Sequence, residues 1–586
     1  NMVVQMSYML EAMLLPYENS KEPFEEIVLE CVFVQALYWS LGAGLPEEPR
    51  VKFDKQLKYW STMQSVEDKD QHYAKPGELP SQYETLFEYF FDIELKVWKP
   101  WKKLVPVYVH DAGKRYNEIL VPTIDTVRTE WLLNLMYAVK RPTLLVGESG
   151  TSKTATTLNF LRKLNTDINV VLNVNFSSRT TSMDVQRTLE ASVEKRTKDS
   201  YGPPPGKKLI VFIDDMNMPR VDDYGTQQPI ALLKLLLERG GMYDRGKDMN
   251  WKLFKDISYF ASMGKPGGGR NEVDPRFISL FNVFNITFPS EESLFQIFNS
   301  ILEGHTRPFS QEIRDCVPKI AKMTLEFYKT IINELPPTPS KFHYIFNLRD
   351  LSRIYNGLVL TTPDRFQTAS QLARLWRNEV MRVISDRLIQ LEDKAMVHEL
   401  MKRLIDDVPE FKPHSEYVFR DPILFGDYRN ALEIGEARIY EDMQDYEAAK
   451  ALFDQILQEY NEQNTPMNLV LFDDAVEHAT RIHRVIRMDQ GNALLVGVGG
   501  SGKQSLTKLA AFAAGCEIFE IKLSRGYNET TFREDLKLLY NKLGIENKKI
   551  VFLFGDQHVA EEGFLELINN MLTSGMVPAL FGDVEI

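Results

Sequence analysis

Two stretches of the sequence place glycine, lysine and hydroxyl residues in an order that can enclose phosphate. They are residues 147–154 (GESGTSKT) and residues 497–505 (GVGGSGKQS), and each follows a short apolar run. Small residues let backbone N–H groups close around phosphate oxygens at a helix N-terminus, while the lysine neutralises the outer phosphates and a hydroxyl holds Mg²⁺. The sequence therefore predicts two nucleotide-binding modules in one chain.

The residue types within these two phosphate loops identify the candidate contacts. The upstream candidates are Gly147, Gly150, Ser152, Lys153 and Thr154, and the downstream candidates are Gly497, Gly500, Gly502, Lys503, Gln504 and Ser505. Neither loop follows the strict pattern. Ser152 stands where the pattern has glycine, and Gln504 stands where it has serine or threonine, with Ser505 one place late.

An acidic pair follows an apolar run downstream of the first phosphate loop. The run 209–213 ends in Asp214 and Asp215. A carboxylate at such a strand end can hold the water shell of Mg²⁺, and the next acidic residue can polarise the attacking water. We expect Thr154 and Asp214 on the metal side and Asp215 at the base position. Efficient nucleotide-hydrolysing enzymes have glutamate at this position, which is one methylene longer. A misplacement of about 1 Å can lower the rate on the order of 10²-fold, so Asp215 predicts slow turnover.

The second phosphate loop is followed by a similar but altered strand end. Gly555 falls at the metal position and Asp556 at the base position. This copy is therefore expected to bind nucleotide and scarcely cleave it. The same order of features at similar spacing predicts an internal repeat. We call residues 147–154 with Asp214 and Asp215 the upstream site, and residues 497–505 with Asp556 the downstream site.

Strand and helix patterns alternate around both sites, which favours an α/β fold with a mostly parallel sheet. The expected upstream strands are 143–146, 170–176, 209–213, 257–262 and 281–288, and the expected downstream strands are 518–523 and 550–554. Helical patterns dominate residues 1–75 and 291–405, and a loop-rich stretch covers 67–82. An aromatic segment around Trp98 and Trp101 is expected to pack in a core.

Composition limits the possible classes of protein. A chain of 586 residues is long enough for about three to five domains. The net charge of −13 argues against nucleic acid and anionic membrane as partners, and no apolar run reaches the length of a membrane span. Cys31, Cys316 and Cys516 are widely spaced, which predicts buried thiols in a reducing compartment. The first residue, Asn1, and the final stretch 580–586 suggest a segment of a longer chain.

Longer motifs resemble one family. The upstream motifs are 121–126, 147–154, 201–208, 212–219, 224–229 and 267–271, and the downstream motifs are 497–506, 532–536 and 564–570. The upstream set resembles the third AAA+ module of axonemal dynein heavy chains, and the downstream set resembles the fourth. The resemblance covers nearly the whole chain.

The resemblance implies a set of domains. Residues 1–75 would be the helical small subdomain of the second module, 76–120 a connecting segment, 121–290 the large α/β subdomain of the third module, 291–415 its helical small subdomain, and 416–586 the incomplete large subdomain of the fourth. The fold class is then tandem AAA+ P-loop modules with helical small subdomains.

The resemblance also implies function, cofactors and partners. It implies regulatory modules of a six-module ATPase ring that bind ATP or ADP with Mg²⁺. The partners would be the remaining modules, axonemal dynein intermediate and light chains, and microtubules contacted through other parts. The location would be the cytoplasm and cytoskeleton, in the axoneme of a cilium or flagellum.

Further residue roles follow from the resemblance by motif. Arg349 matches the helical-lid arginine that senses the outer phosphate, and Arg276 resembles an arginine finger that serves the neighbouring second module. From residue type alone, either arginine could equally form an ordinary surface ion pair. At the polar sensor position after the fourth strand the chain reads Ser262, Met263 and Gly264. Met263 there is expected to weaken the positioning of water.

Two alternatives remain open at this stage. In the first, both sites hold nucleotide permanently as a scaffold, which Ser152, Met263 and Gly555 favour. In the second, a more distant option, the chain belongs to a ring-forming remodeller such as midasin. On the resemblance to dynein, the third module would take its arginine finger from the fourth, and no counterpart of Arg276 follows the downstream site before Ile586. The segment alone is therefore expected to bind ATP or ADP and turn over negligibly.

Overall fold

The computed structural model describes residues 2–19, 23–61, 63–65, 73–246, 249–267, 269–433, 435–577 and 580–581. The chain divides into two compact units. Unit one comprises Asn1–Val107, Pro122–Ser290 and Leu565–Ile586, and unit two comprises Tyr108–Val121 and Glu291–Phe564. The expected loop at 67–82 lies partly outside the described residues, because residues 66–72 are not described.

The elements are numbered in chain order. The helices are α1 (Met2–Leu14), α2 (Glu26–Tyr38), α3 (Glu47–Trp60), α4 (Trp101–Leu104), α5 (Ile124–Ala138), α6 (Lys153–Lys163), α7 (Ser182–Glu190), α8 (Gln228–Arg239), α9 (Pro275–Ile278), α10 (Glu291–His305), α11 (Gln311–Glu334), α12 (Leu348–Leu358), α13 (Ala369–Val383), α14 (Leu391–Asp406), α15 (Ser415–Val418), α16 (Tyr446–Gln463), α17 (Asp473–Arg487), α18 (Lys503–Ala513), α19 (Glu529–Gly544) and α20 (Gly563–Ser574). The strands are β1 (Gln64–Ser65), β2 (Glu78–Leu79), β3 (Tyr89–Asp92), β4 (Val97–Pro100), β5 (Thr143–Gly147), β6 (Asn169–Asn175), β7 (Glu194–Lys195), β8 (Ser200–Gly202), β9 (Lys208–Asp214), β10 (Gly241–Tyr243), β11 (Trp251–Phe254), β12 (Ile257–Met263), β13 (Asn282–Ile286), β14 (Phe425–Gly426), β15 (Glu441–Asp442), β16 (Glu517–Phe519) and β17 (Ile550–Phe552).

A five-stranded parallel sheet forms the centre of unit one. Its order is β13-β5-β12-β9-β6, and every neighbouring pair is parallel. The central strands are almost wholly apolar because both faces are covered: Leu144 packs in one core cluster and Leu145 in another. The predicted α/β fold with a parallel sheet is confirmed. Because all strands run the same way, the ends of β5, β9 and β12 meet at one edge, where the upstream site lies.

Unit one also contains short elements that the sequence patterns did not reveal. Strands β10, β11, β8 and β7 form a separate four-stranded sheet, in which the motif beginning at Tyr201 supplies β8. The aromatic segment forms the antiparallel pair β3 and β4. Trp98 and Trp101 are almost fully buried there, as expected.

Unit two begins with a helical core built from α10 to α14, which includes the fully buried Trp376. A buried polar cluster joins α13 to α17. Arg484 donates to Glu379, whose other carboxylate oxygen accepts from the Tyr440 hydroxyl at 2.7 Å. Gly357 on α12 faces this cluster, since a Cβ at this glycine would lie 1.8 Å from Glu379 Oε2.

The downstream part of unit two has a smaller sheet. Strands β16 and β17 pair in parallel, and each is shorter than the sequence predicted. The apolar run before the downstream phosphate loop is not a strand in the described structure, and Leu494 and Val496 are each 88% exposed. The corresponding upstream strand, β5, is covered because β12 and β13 pair with it on both sides. The three cysteines are free thiols, and no described helix has the length and apolarity that a membrane crossing requires.

Candidate nucleotide sites

The upstream phosphate loop joins β5 to α6. Gly150 has a positive φ of 88°, and Ser152 at the start of α6 has φ 60° and ψ 15°, both in the left-handed region. Gly147 lies so close to β13 that a Cβ would be 2.5 Å from the Ile286 carbonyl oxygen. The loop therefore keeps the turn expected of a glycine pattern although Ser152 carries a side chain, at a cost of about 1–2 kcal/mol for a left-handed L-residue.

The side chain of Lys153 hydrogen-bonds back to this loop. Its ammonium donates to the carbonyl oxygens of Gly147 at 3.0 Å and Glu148 at 2.6 Å, and to the Thr151 hydroxyl at 3.1 Å. Thr151 in turn donates to the Glu148 carbonyl oxygen at 3.0 Å. These contacts hold the loop closed and keep a positive charge at the N-terminus of α6, which suits an anion.

The end of β9 contacts this loop directly. Thr154 Oγ1 donates to Asp214 Oδ2 at 2.7 Å, so the two residues expected on the metal side lie together. Asp214 Oδ1 accepts from the backbone N–H of Asp215 at 3.0 Å and from the Ser262 hydroxyl. With 7% of its surface exposed, Asp214 is buried and its carboxylate is oriented by three donors.

The polar side chain at the end of β12 is Ser262. Its hydroxyl reaches Asp214, whereas Met263 is buried in the apolar core of the sheet. Ser262 therefore supplies the polar contact at this strand end, which the alternation of side chains along a strand could have indicated, since Ser262 and Met263 must point to opposite faces. The expected weakening of water positioning by Met263 stays a prediction.

Asp215 lies beside Asp214 in a left-handed conformation, with φ 50°. Its side chain is 40% exposed, and Asp215 Oδ1 lies 3.4 Å from Arg270 Nη2. The spacing of residues in the sequence indicates no role for Arg270, because only the turn after β12 brings it beside Asp215.

The upstream residues fit a nucleotide with Mg²⁺. A hydroxyl oxygen and a carboxylate oxygen are ligands that Mg²⁺ prefers, and this ion is usually held by few protein ligands together with phosphate oxygens and water. Thr154 and Asp214 provide such a pair. No group of three or more His, Cys, Asp or Glu side chains able to hold a metal by themselves occurs in the described part of the chain.

The downstream phosphate loop repeats the upstream geometry. Gly500 and Gly502 have φ of 76° and 77°, at the positions of Gly150 and Ser152. The ammonium of Lys503 donates to the carbonyl oxygens of Gly497 at 2.6 Å and Val498 at 2.7 Å. The lysine ammonium therefore has the same two carbonyl partners in both loops.

The rest of the downstream site is more open. Gln504 and Ser505 occupy the first turn of α18, where Gln504 is exposed and Ser505 is partly buried. Asp556 is exposed and begins a short 3₁₀ turn. The N–H of Gly555 donates to His558 Nδ1 at 2.9 Å, so the backbone bends where the upstream site has Asp214.

The two arginines assigned by motif are both exposed. Arg276 lies on α9, where its backbone N–H donates to Asp274 at 2.9 Å. Arg349 lies in the first turn of α12 in unit two, where its N–H donates to Asn347 at 2.9 Å. Their roles toward phosphate stay predictions.

Four protein-family models match the chain. They are described as P-loop containing dynein motor region (residues 108–289), P-loop containing dynein motor region D4 (467–586), AAA+ lid domain (320–411) and Dynein heavy chain AAA lid domain (1–103).

Several curated proteins are similar over the full length of this chain. The human protein named dynein axonemal heavy chain 10 is 63% identical over 585 residues, and the dynein-1-alpha heavy chain of the flagellar inner arm I1 complex of Chlamydomonas reinhardtii is 53% identical over 598. Human dynein axonemal heavy chain 6 is 38% identical over 590 residues. The chain spans 13% of the first two proteins and 14% of the third. It belongs to the axonemal dynein heavy-chain family, as a segment of the AAA+ P-loop motor region.

Proposed function

We propose that this segment supplies the third and fourth AAA+ modules of an axonemal dynein motor, where they bind ATP or ADP and regulate the ATPase ring. The observation that carries the proposal is the hydrogen bond from Thr154 to Asp214, since it joins the phosphate loop to the acidic strand end. The recurrence of the same loop geometry around Lys503 supports a second nucleotide site.

Different residues of the upstream site would bind the phosphate groups and the metal ion. Lys153 and the N-terminus of α6 bind the phosphate groups. Thr154 and Asp214, which share a hydrogen bond, would hold Mg²⁺, and Ser262 keeps the Asp214 carboxylate in place. When bound, Mg²⁺ neutralises charge that develops on the phosphate oxygens.

Slow hydrolysis at the upstream site follows from the chemistry of Asp215. This residue is one methylene shorter than glutamate and is paired with Arg270, so its carboxylate is poorly placed to polarise water. Arg349 and an arginine of the neighbouring module would sense the outer phosphate and link nucleotide state to the arrangement of modules. The downstream site has Gly555 at the metal position and is proposed to bind with little cleavage.

The role in the whole motor is proposed from the relatives. The names of the similar proteins place them in axonemes and in a flagellar inner arm. We therefore propose that this segment works in the axoneme of a cilium or flagellum, together with the other modules of its heavy chain and with axonemal dynein intermediate and light chains. Microtubules would be contacted through other parts of the motor.

Binding can be tested by titrating the purified chain with a fluorescent ATP analogue and Mg²⁺. We expect two sites per chain, one of which is lost in Lys153→Ala, the other in Lys503→Ala, and both in the double variant. Lys163→Ala is the matched control, because Lys163 lies on the same helix as Lys153 but pairs with Glu130 at the surface. Unchanged stoichiometry in both loop variants would contradict the proposal.

Gly555 favours a second candidate, a nucleotide held permanently as a scaffold. It offers no side chain where the upstream site has Asp214, so nucleotide there could persist without being cleaved. A chase with excess unlabelled nucleotide separates the two functions. Exchange within seconds supports regulation, whereas label retained for hours supports the scaffold.

A further inference from the structure

The turn after β12 holds a second positive charge at the upstream site. We call residues 264–267 and 269–271 the glycine loop. The fully buried Asn217 fixes both ends of this loop. Its side-chain Nδ2 donates to the Gly264 carbonyl oxygen at 2.8 Å, and its backbone carbonyl oxygen accepts from the backbone N–H of Asn271 at 2.9 Å. Within the loop, Gly267 and Arg270 exchange backbone hydrogen bonds of 2.9 and 3.1 Å. These hydrogen bonds hold the backbone of Arg270 in place.

The side chain of Arg270 fits between Gly264 and Asp215. A Cβ on Gly264 would lie 2.6 Å from Arg270 Nε and 2.7 Å from its Cδ, so only glycine leaves room for this path. The far end of the guanidinium reaches Asp215 at 3.4 Å. Its Nε is buried and has no hydrogen-bond acceptor among the described residues.

This placement balances charge at the site. Asp214 and Asp215 are adjacent carboxylates. The carboxylate of Asp214 accepts hydrogen bonds from three donors, whereas that of Asp215 is paired with the guanidinium of Arg270. ATP has one more phosphoryl group than ADP and carries more negative charge, so an uncompensated carboxylate next to the phosphate loop would repel ATP more strongly.

We propose that Arg270 is a specificity-determining residue of the upstream site, which neutralises Asp215 and thereby lets the site accept a nucleoside triphosphate as readily as a diphosphate. It acts through Asp215 as a positioning residue. The inference rests on the proposed nucleotide binding and extends it to the choice between ATP and ADP.

The test compares Arg270→Gln, Asp215→Asn and the double variant, all in a Lys503→Ala background so that binding reports on the upstream site. Affinities for the Mg²⁺ complexes of fluorescent ADP and of a non-hydrolysable ATP analogue are measured for each. We expect Arg270→Gln to weaken the ATP analogue about fivefold and ADP less than twofold, as for a partly exposed ion pair. Asp215→Asn should strengthen the ATP analogue about threefold. The double variant should return to within about twofold of the parent, because both charges are then absent.

A matched control lies on the helix that follows the phosphate loop. Lys163, the last residue of α6, pairs with Glu130 at 2.6 Å. Lys163→Gln removes one positive charge away from the site and should change neither affinity by more than about twofold. Two further variants test position and charge separately. Gly264→Ala displaces Arg270 and should lower the ATP-to-ADP preference, whereas Arg270→Lys should retain part of it.

The outcomes separate this inference from the proposed function. A parent chain that binds neither nucleotide overturns both. Binding by the parent with equal losses for ATP and ADP in Arg270→Gln, or a double variant that stays as impaired as Arg270→Gln, overturns the inference alone and leaves Arg270 a structural role. Melting temperatures within a few degrees of the parent establish that each variant is folded.

Discussion

Ser152 and Gly502 occupy the same position in their phosphate loops and share a left-handed backbone, with φ of 60° and 77°. In both loops the next residue is the lysine whose ammonium closes the turn. The position selects a backbone conformation rather than a residue type. Serine at this position therefore changes the stability of the loop and not its shape.

Ser152→Gly is expected to stabilise the upstream module. Removing the Cβ relieves about 1–2 kcal/mol of left-handed strain, and the greater freedom of glycine in the unfolded chain offsets about 0.5–1 kcal/mol of that gain. We expect a net gain of up to about 1.5 kcal/mol in the free energy of unfolding, measured as a rise in melting temperature. The reciprocal Gly502→Ser should lower it, and a rise in both variants would refute the argument.

Gly357→Ala is expected to destabilise unit two, although alanine is favoured over glycine in a helix by about 1 kcal/mol. The new Cβ would lie 1.8 Å from Glu379 Oε2, and Arg484 and Tyr440 hold that carboxylate in place. Overpacking of this kind costs about 1–3 kcal/mol, so we expect a net loss of up to about 2 kcal/mol after the gain in helix propensity.

A matched helix glycine provides the control for this change. Gly544 ends α19, and a Cβ there would meet no atom within 4 Å. Gly544→Ala should therefore leave the melting temperature unchanged or raise it. A gain of stability in Gly357→Ala would show that Glu379 can move aside.

Ser262→Ala is expected to reduce the benefit of Mg²⁺ for nucleotide binding. A hydrogen bond to a charged group contributes about 1.5–3 kcal/mol, and its loss leaves Asp214 with one fewer donor to orient it. Nucleotide affinity would be measured once with Mg²⁺ and once with a chelator. The ratio of the two affinities in Ser262→Ala would then be compared with the same ratio in the parent. Ser258→Ala, earlier on the same strand, should leave the ratio unchanged.

Stability is expected to fall between pH 6.5 and pH 4 because of His483. Burial lowers the pKa of His483 from 6.5 to about 4, with Arg487 and Arg438 adding to the effect and Asp427 opposing it. In this window the unfolded chain takes up a proton that the folded chain does not, so the loss reaches about 3 kcal/mol at the lower end. Above pH 6.5 this contribution to stability is fully present.

The histidine contribution can be isolated by substitution. His483→Gln should flatten the dependence of melting temperature on pH between 4.5 and 7. His478→Gln changes an exposed residue on the same helix and should leave the slope as it is. An equal slope in the parent and in His483→Gln would rule out this assignment.

Much of the upstream module could be predicted from sequence because its signals are local. The strand before Gly147, the helix after Lys153 and the acidic end of β9 each follow from residue types within a few positions. Their meeting at one sheet edge follows from parallel topology. These are the features that periodicity and motif spacing can report.

Other features depend on contacts between distant residues. The pairing of Arg270 with Asp215 requires the turn after β12, and the role of Ser262 requires the register of β12 against β9. The sheet around β8 was missed because its strands have two to four residues, too few for a period to be visible. Val496 is exposed because, in the part of the chain that the structure describes, no strand pairs with the apolar run that contains it.

The position of β5 within the sheet has a consequence for how the protein is made. Thr143 pairs with Phe260 on one side and with Asn282 on the other, and both partners come much later in the chain. During translation the strand that carries Gly147 has both edges unpaired until the ribosome has released β12, and one edge unpaired until β13 follows. Such delayed, non-local pairing is slow and prone to aggregation, so we expect nascent chains that stop before residue 282 to depend on chaperones.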